Sequence, residues 1–119
     1  MSGKILIIED EKRLRTNLKL LLTSEGYTVS TAADGEEGLV YLQQEPCDLV
    51  ITDITLPYKD GIDLSIEVRR EYPATKLVGT STSVETLAKR SVTRHFDAVL
   101  AKPFTNEQLV AIVRQQLGV

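Results

Sequence analysis

One cysteine, no tryptophan and an aromatic content of 5% leave this 119-residue chain few of the usual routes to stability or recognition. A single thiol, Cys47, forms no internal disulfide, so the fold rests on its core, and the usage suits a reducing compartment. Cys47 itself reads as a small apolar residue ahead of a strand. Four prolines and seven glycines are spread too thinly to make a linker, and no repeat or low-complexity tract is present. Cations are not in excess: 14 Lys and Arg face 17 Asp and Glu, a net charge of −3. That balance gives no broad attraction for nucleic acid or an anionic membrane, and a DNA-binding role would need another domain. The first apolar run ends at Glu9 and Asp10, and none is long enough for a signal peptide or a bilayer span. The expectation is one cytoplasmic domain over residues 1–119, with no membrane partner.

The chain does have a regular alternation. Ile5-Leu6-Ile7-Ile8, Leu49-Val50-Ile51 and Leu77-Val78 are short continuous apolar runs, the pattern of strands buried on both faces. Tyr27 to Ala32 and Ala98 to Ala101 complete five strands. Between them the spacing turns helical. Leu14, Leu18, Leu21 and Leu22 share one face, with Gly26 placed to end that helix. Asp34 caps a second helix that runs to about Glu45 before Pro46, and a third runs from Asp63 to Glu71 before Pro73. A fourth, from Val84 to about Arg94, has the weakest apolar stripe. The last carries Leu109, Ile112, Val113 and Leu117, with Thr105 and Gln108 in a capping-box pattern. Five βα units predict an α/β fold with a doubly wound parallel sheet and ligands beyond the carboxyl ends of its strands.

Those ends are polar. Strand one runs into Glu9-Asp10-Glu11, strand three into Asp53, strand four into Thr80-Ser81-Thr82-Ser83 and strand five into Lys102-Pro103. Each alone is an ordinary cap, loop or surface charge; four together make complementary chemistry. Clustered carboxylates repel one another, and a divalent cation relieves the repulsion. Hard oxygen donors with room for water favour Mg²⁺. Such a cation also neutralises an incoming phosphoryl group, which makes Asp53 a candidate carboxylate nucleophile. Lys102 supplies a mobile cation for one phosphoryl oxygen, and a hydroxyl at Ser81 can bond another.

The segments Ile5-Leu6-Ile7-Ile8-Glu9-Asp10-Glu11, Asp53-Ile54-Thr55-Leu56-Pro57 with Asp60-Gly61, Thr80-Ser81 and Lys102-Pro103-Phe104, in this order and spacing, resemble the response-regulator receiver domains of bacterial two-component signalling. The resemblance covers essentially the whole chain. It implies a flavodoxin-like five-stranded sheet of order 2-1-3-4-5. It also implies a phosphoacceptor at Asp53, with Asp10 a direct Mg²⁺ ligand and Glu9 acting on the metal through water. The backbone carbonyl of Thr55 would be a further metal ligand and Lys102 the phosphate contact, with a cis bond to Pro103. Ser81 is the switch hydroxyl, with Thr80 second. The implied partners are a sensor histidine kinase or phosphotransfer protein upstream and an output domain or protein downstream. A homodimer through the face of helix four, strand five and helix five also fits the family.

The sequence departs from the family pattern in three places. Val99 stands where an aromatic residue usually couples to the switch hydroxyl, Thr82 where Ala or Gly usually follows it, and His95 where a glycine often precedes strand five. Val99 and Thr82 favour the alternative of a pseudo-receiver, an interaction module that is not phosphorylated. Asp10, Asp53 and Lys102 favour phosphorylation. His95 reads as a surface or helix-end residue. A haloacid-dehalogenase-type phosphatase would need a second aspartate where Thr55 stands, so turnover of an external substrate is not expected. A flavodoxin would need a hydroxyl- and glycine-rich loop where Glu9-Asp10-Glu11 stands, and neither a P-loop nor a Gly-x-Gly-x-x-Gly motif occurs.

Overall fold

The computed structural model describes residues 3–55 and 60–118. In chain order the elements are β1 (Lys4–Ile8), α1 (Lys12–Ser24), β2 (Thr28–Ala32), α2 (Gly35–Gln44), β3 (Leu49–Asp53), α3 (Gly61–Glu71), β4 (Lys76–Ser81), α4 (Val84–Ala88), α5 (Arg90–Thr93), β5 (Ala98–Ala101) and α6 (Asn106–Leu117). The strands form one parallel sheet in the order β2-β1-β3-β4-β5, as the resemblance implies.

The apolar runs become strands because alternate residues enter two separate cores. In β1, Ile5 and Ile7 pack with Leu18 and Leu22 of α1 and Leu109 and Val113 of α6. Leu6 and Ile8 point the other way, into a cluster with Leu42 of α2 and Leu64 and Val68 of α3. Cys47 is buried in this second cluster, and burial pushes its thiol pKa up to about 11, consistent with a packing role.

The helix ends follow their local chemistry. Gly26, at φ 99°, closes α1: its N–H donates to the Thr23 carbonyl at 3.0 Å and that of Tyr27 to the Leu22 carbonyl at 3.2 Å, the bond pair of a Schellman motif. Asp34 caps α2 through the Glu37 N–H, and Thr105 and Gln108 form the expected capping box on α6. α3 begins two residues earlier than the sequence suggests, because Asp60 accepts from the Asp63 N–H and takes the cap position.

The fourth predicted helix is not continuous. Lys89 is extended (φ −87°, ψ 116°) and splits Val84–Arg94 into α4 and α5, neither of which has a buried residue. Ser, Thr and Val are frequent in this stretch and lower helix propensity, and Leu87 and Val92 are only partly buried against the core. α4 depends on Ser83, whose Oγ accepts from the Thr86 N–H at 3.1 Å. Ser83→Ala should therefore weaken α4 locally by about 0.5–2 kcal/mol. Hydrogen exchange would show it as faster exchange at Thr86 and Leu87 with unchanged protection in the sheet. Among the described residues no helix is long and apolar enough to cross a membrane.

Candidate functional site

The parallel register brings the predicted polar residues to one end of the sheet. Asp53 pairs with Thr80 across β3 and β4, and Ser81 with Ala101 across β4 and β5. The ladder continues past the strands: the Ile54 N–H donates to the Thr80 carbonyl at 2.9 Å and the Lys102 N–H to the Ser81 carbonyl at 2.8 Å. Glu9 follows β1 and is 3% exposed, while Asp10, next in sequence, is open to solvent. One carboxylate oxygen from each of Glu9, Asp10 and Asp53 lies within 4.8 Å of the other two.

Lys102 joins two of these carboxylates. Its Nζ lies 2.5 Å from Glu9 Oε1 and 2.8 Å from Asp53 Oδ2, and all three side chains are at most 15% exposed. The Glu11 N–H donates to Glu9 Oε2 and the Thr55 N–H to Asp53 Oδ1, each at 3.0 Å. Burial raises the Glu9 pKa; the Lys102 and Glu11 hydrogen bonds oppose the shift without cancelling it. For Lys102 burial acts downward, but the bonds and charges of Asp53 and Glu9 outweigh it and the pKa stands above its ordinary value.

The donor set fits a hard divalent cation. It offers three carboxylates from two strand ends, with Asp10 on the open side where water can complete a coordination shell. Both oxygens of Glu9 and both of Asp53 already accept hydrogen bonds, whereas Asp10, on the open side, is the carboxylate best placed to ligate. Thr55 meets the site through its N–H. Leu56 and Pro57, which help carry the resemblance, lie outside the described residues.

Ser81 is buried and its Oγ accepts from the Ser83 N–H at 3.0 Å. Strand alternation puts it on the face of Leu77 and Val99, and Thr80 on the face of Val78 and Asp53. Val99 packs against the cluster that holds Leu77, half-buried. The Lys102–Pro103 bond is cis. Beside it a cavity of about 270 Å³, lined by Leu14, Thr82, Lys102, Pro103 and Phe104, adjoins the carboxylate cluster. His95 follows α5, and its carbonyl lies 3.5 Å from an Arg69 nitrogen, away from the site.

A family model for the response regulator receiver domain matches residues 5–114. The chain belongs to this family. Solved structures agree with the assignment. The chemotaxis response regulator CheY4 of Vibrio cholerae is 28% identical, with a TM-score of 0.90 over 98% of this chain and 99% of its own. The response regulator TrrA of Thermotoga maritima, solved with Mg²⁺–BeF, is 30% identical with a TM-score of 0.88, over 98% and 99% of the two chains. NtrX of Brucella abortus matches 99% of this chain at 26% identity and a TM-score of 0.91, but the match spans only 27% of NtrX. This receiver domain thus resembles both single-domain proteins and one part of a larger one.

Two residues of the receiver site carried no role in the sequence reading. Gly61 lies so close to the end of β3 that a Cβ there would sit 2.6 Å from the Asp53 carbonyl oxygen. Arg15 donates from Nη1 to the Glu9 carbonyl at 2.7 Å, with the Asp10 carbonyl at 3.4 Å. The Asp60-Gly61 pair was a visible signal for the first. For the second none existed, because the contact depends on how the chain turns after β1.

Proposed function

We propose that this receiver domain accepts a phosphoryl group on Asp53, from a histidine kinase or phosphotransfer protein and with Mg²⁺, and that the modification alters a surface read by an output domain or protein. The observation that carries the reading is Lys102 Nζ held between Glu9 and Asp53, with Asp10 beside them. Positive charge is thus already fixed where a phosphoryl group would arrive, and most of the catalysis in such a transfer is positioning and neutralisation. An Asp53 carboxylate oxygen attacks phosphorus. One O–P bond forms, the bond from phosphorus to the donor nitrogen breaks, and its electron pair stays with the donor imidazole.

Lys102 then bonds a phosphoryl oxygen in place of Asp53 Oδ2, and the Thr55 N–H is close enough to a second to help orient it. Mg²⁺ held by Asp10 and Asp53, with the Thr55 carbonyl as a further ligand and Glu9 acting through water, supplies charge neutralisation. Ser81 serves as the switch hydroxyl rather than Thr80, because it ends the strand and already bonds the loop leading to α4. That TrrA was solved in complex with Mg²⁺–BeF supports a bound cation in this domain as well. No external substrate is turned over. A cytoplasmic setting fits a domain with this donor and one free, buried thiol.

The test is intact mass after incubation with acetyl phosphate, with and without Mg²⁺, for the native chain and Asp53→Asn. A Mg²⁺-dependent gain of one phosphoryl group, absent in the variant, is the expected result. No gain under conditions that modify another receiver would overturn the reading and leave an unphosphorylated interaction module.

A further inference from the structure

Arg15 occupies a place that helix electrostatics disfavour. It lies in the first turns of α1, where the macrodipole is positive; that helix begins with Lys12 and Arg13, and the one acidic group at its start, the carboxylate of the N-cap Glu11, is bonded to the Leu14 N–H and not to the Arg15 side chain. Its guanidinium instead turns back to the end of β1. The Glu9 N–H is bound to the Ala32 carbonyl of β2 at 3.0 Å, so the strand ladder still holds Glu9 on its donor side. On its acceptor side the strand has ended, and Arg15 Nη1 takes over at 2.7 Å, with the next carbonyl, that of Asp10, 3.4 Å from the same nitrogen. Two successive carbonyls gathered by one nitrogen fix the path of the backbone between Glu9 and Asp10.

We propose that Arg15 is a positioning residue for the cation site: by clamping these carbonyls it sets the Asp10 carboxylate against Glu9 and Asp53. The inference rests on reading those three carboxylates as the Mg²⁺ site. It makes a prediction of definite sign, because two effects oppose each other. As a charge, Arg15 repels a divalent cation, so its removal would tighten binding; as a clamp, it organises the donors, so its removal weakens binding. Outer partners that orient metal ligands typically contribute roughly 10- to 100-fold in affinity. Arg15 is also half-buried against backbone it bonds directly, whereas its charge acts on a site open to screening water. The clamp should therefore dominate.

Mg²⁺ itself is the probe, titrated calorimetrically into the native chain, Arg15→Ala, Arg15→Lys and Asp10→Asn, each checked for folding by circular dichroism. Arg15→Ala should weaken Mg²⁺ binding about tenfold, and Arg15→Lys, which keeps the charge and reaches one carbonyl, should recover part of the loss. Adding Arg15→Ala to Asp10→Asn should change nothing further, since the group being positioned is gone. If Arg15→Ala does not fold, Arg15→Lys alone decides: affinity equal to the native value overturns the proposal. Unchanged or tighter binding by a folded Arg15→Ala overturns it as well. Failure of the native chain to bind Mg²⁺ overturns the cation-site reading and the clamp together, which separates the two failures.

Discussion

Lys102→Met should lower stability by about 3 kcal/mol at neutral pH without Mg²⁺, in the range seen when one partner of a buried ion pair is removed. The ammonium lies 2.5 Å from Glu9 and 2.8 Å from Asp53, and methionine keeps most of its packing volume while leaving two carboxylates facing each other. The pH dependence identifies the cause. Glu9 already has a raised folded-state pKa, chiefly from burial, and losing the Lys102 hydrogen bond raises it further. An acid whose pKa is higher folded than unfolded favours the fold fully below its unfolded value of 4.5, and that contribution is lost as pH rises through the folded value.

The deficit should therefore be small near pH 4 and grow toward neutrality. In the native chain Lys102, also raised, contributes stability that is complete below 10.5 and fades only at higher pH. Urea denaturation across pH 4 to 8 measures the difference. Mg²⁺ should stabilise the variant more than the native chain, because it replaces the missing charge and binds the folded state. A deficit that stays constant with pH would assign the loss to packing instead of charge. Phosphorylation by acetyl phosphate should slow by about 10²-fold.

Gly61→Ala should be the most disruptive single-methyl change near the site. The added Cβ would fall 2.6 Å from the Asp53 carbonyl oxygen and 2.7 Å from the Ile54 Cα. Both are backbone atoms, and the Gly61 N–H is itself bonded to the Ile54 carbonyl at 2.8 Å, so α3 and the end of β3 must separate for the methyl to fit. The expected cost is about 1–3 kcal/mol, accompanied by weaker Mg²⁺ binding because Asp53 moves with its backbone. Gly26→Ala makes the control. It strains a left-handed residue at φ 99° with nothing within 4 Å, so it should cost about 1 kcal/mol and leave Mg²⁺ affinity alone. Thermal unfolding and Mg²⁺ titration on the two variants separate a lost site from a merely weakened fold. Equal Mg²⁺ affinity in both would refute the link between Gly61 and Asp53.

The sheet was legible because a strand buried on both faces has no room for polar residues, and Ile5 to Ile8 and Leu49 to Ile51 contain none. The convergence of Glu9, Asp10, Asp53 and Lys102 followed from topology, since parallel strands carry all their carboxyl ends to one side. The capping box at Thr105 and Gln108 was readable because both partners lie within four residues. What could not be read depends on tertiary placement. The break at Lys89 falls in a stretch, Val84 to Arg94, with no fully buried residue, and a weak apolar stripe signals a marginal helix without saying where it fails. The start of α3 lies before Asp63 because Asp60, three residues earlier, caps the Asp63 N–H. The Arg15 clamp and the approach of Gly61 to Asp53 depend on backbone paths that no local pattern encodes.

The bond between Lys102 and Glu9 spans 93 positions in the chain, and that between Lys102 and Asp53 spans 49. Both carboxylates are synthesised before their counterion. Until β5 docks on β4, Glu9 lacks its Lys102 partner, and its burial is opposed by its own desolvation. Closing so distant a contact carries a large entropic cost and belongs late in folding. A nascent chain stalled before residue 102 would thus carry Asp53 without Lys102, so on the proposed reading competence to receive a phosphoryl group also reports that β5 has been made and docked.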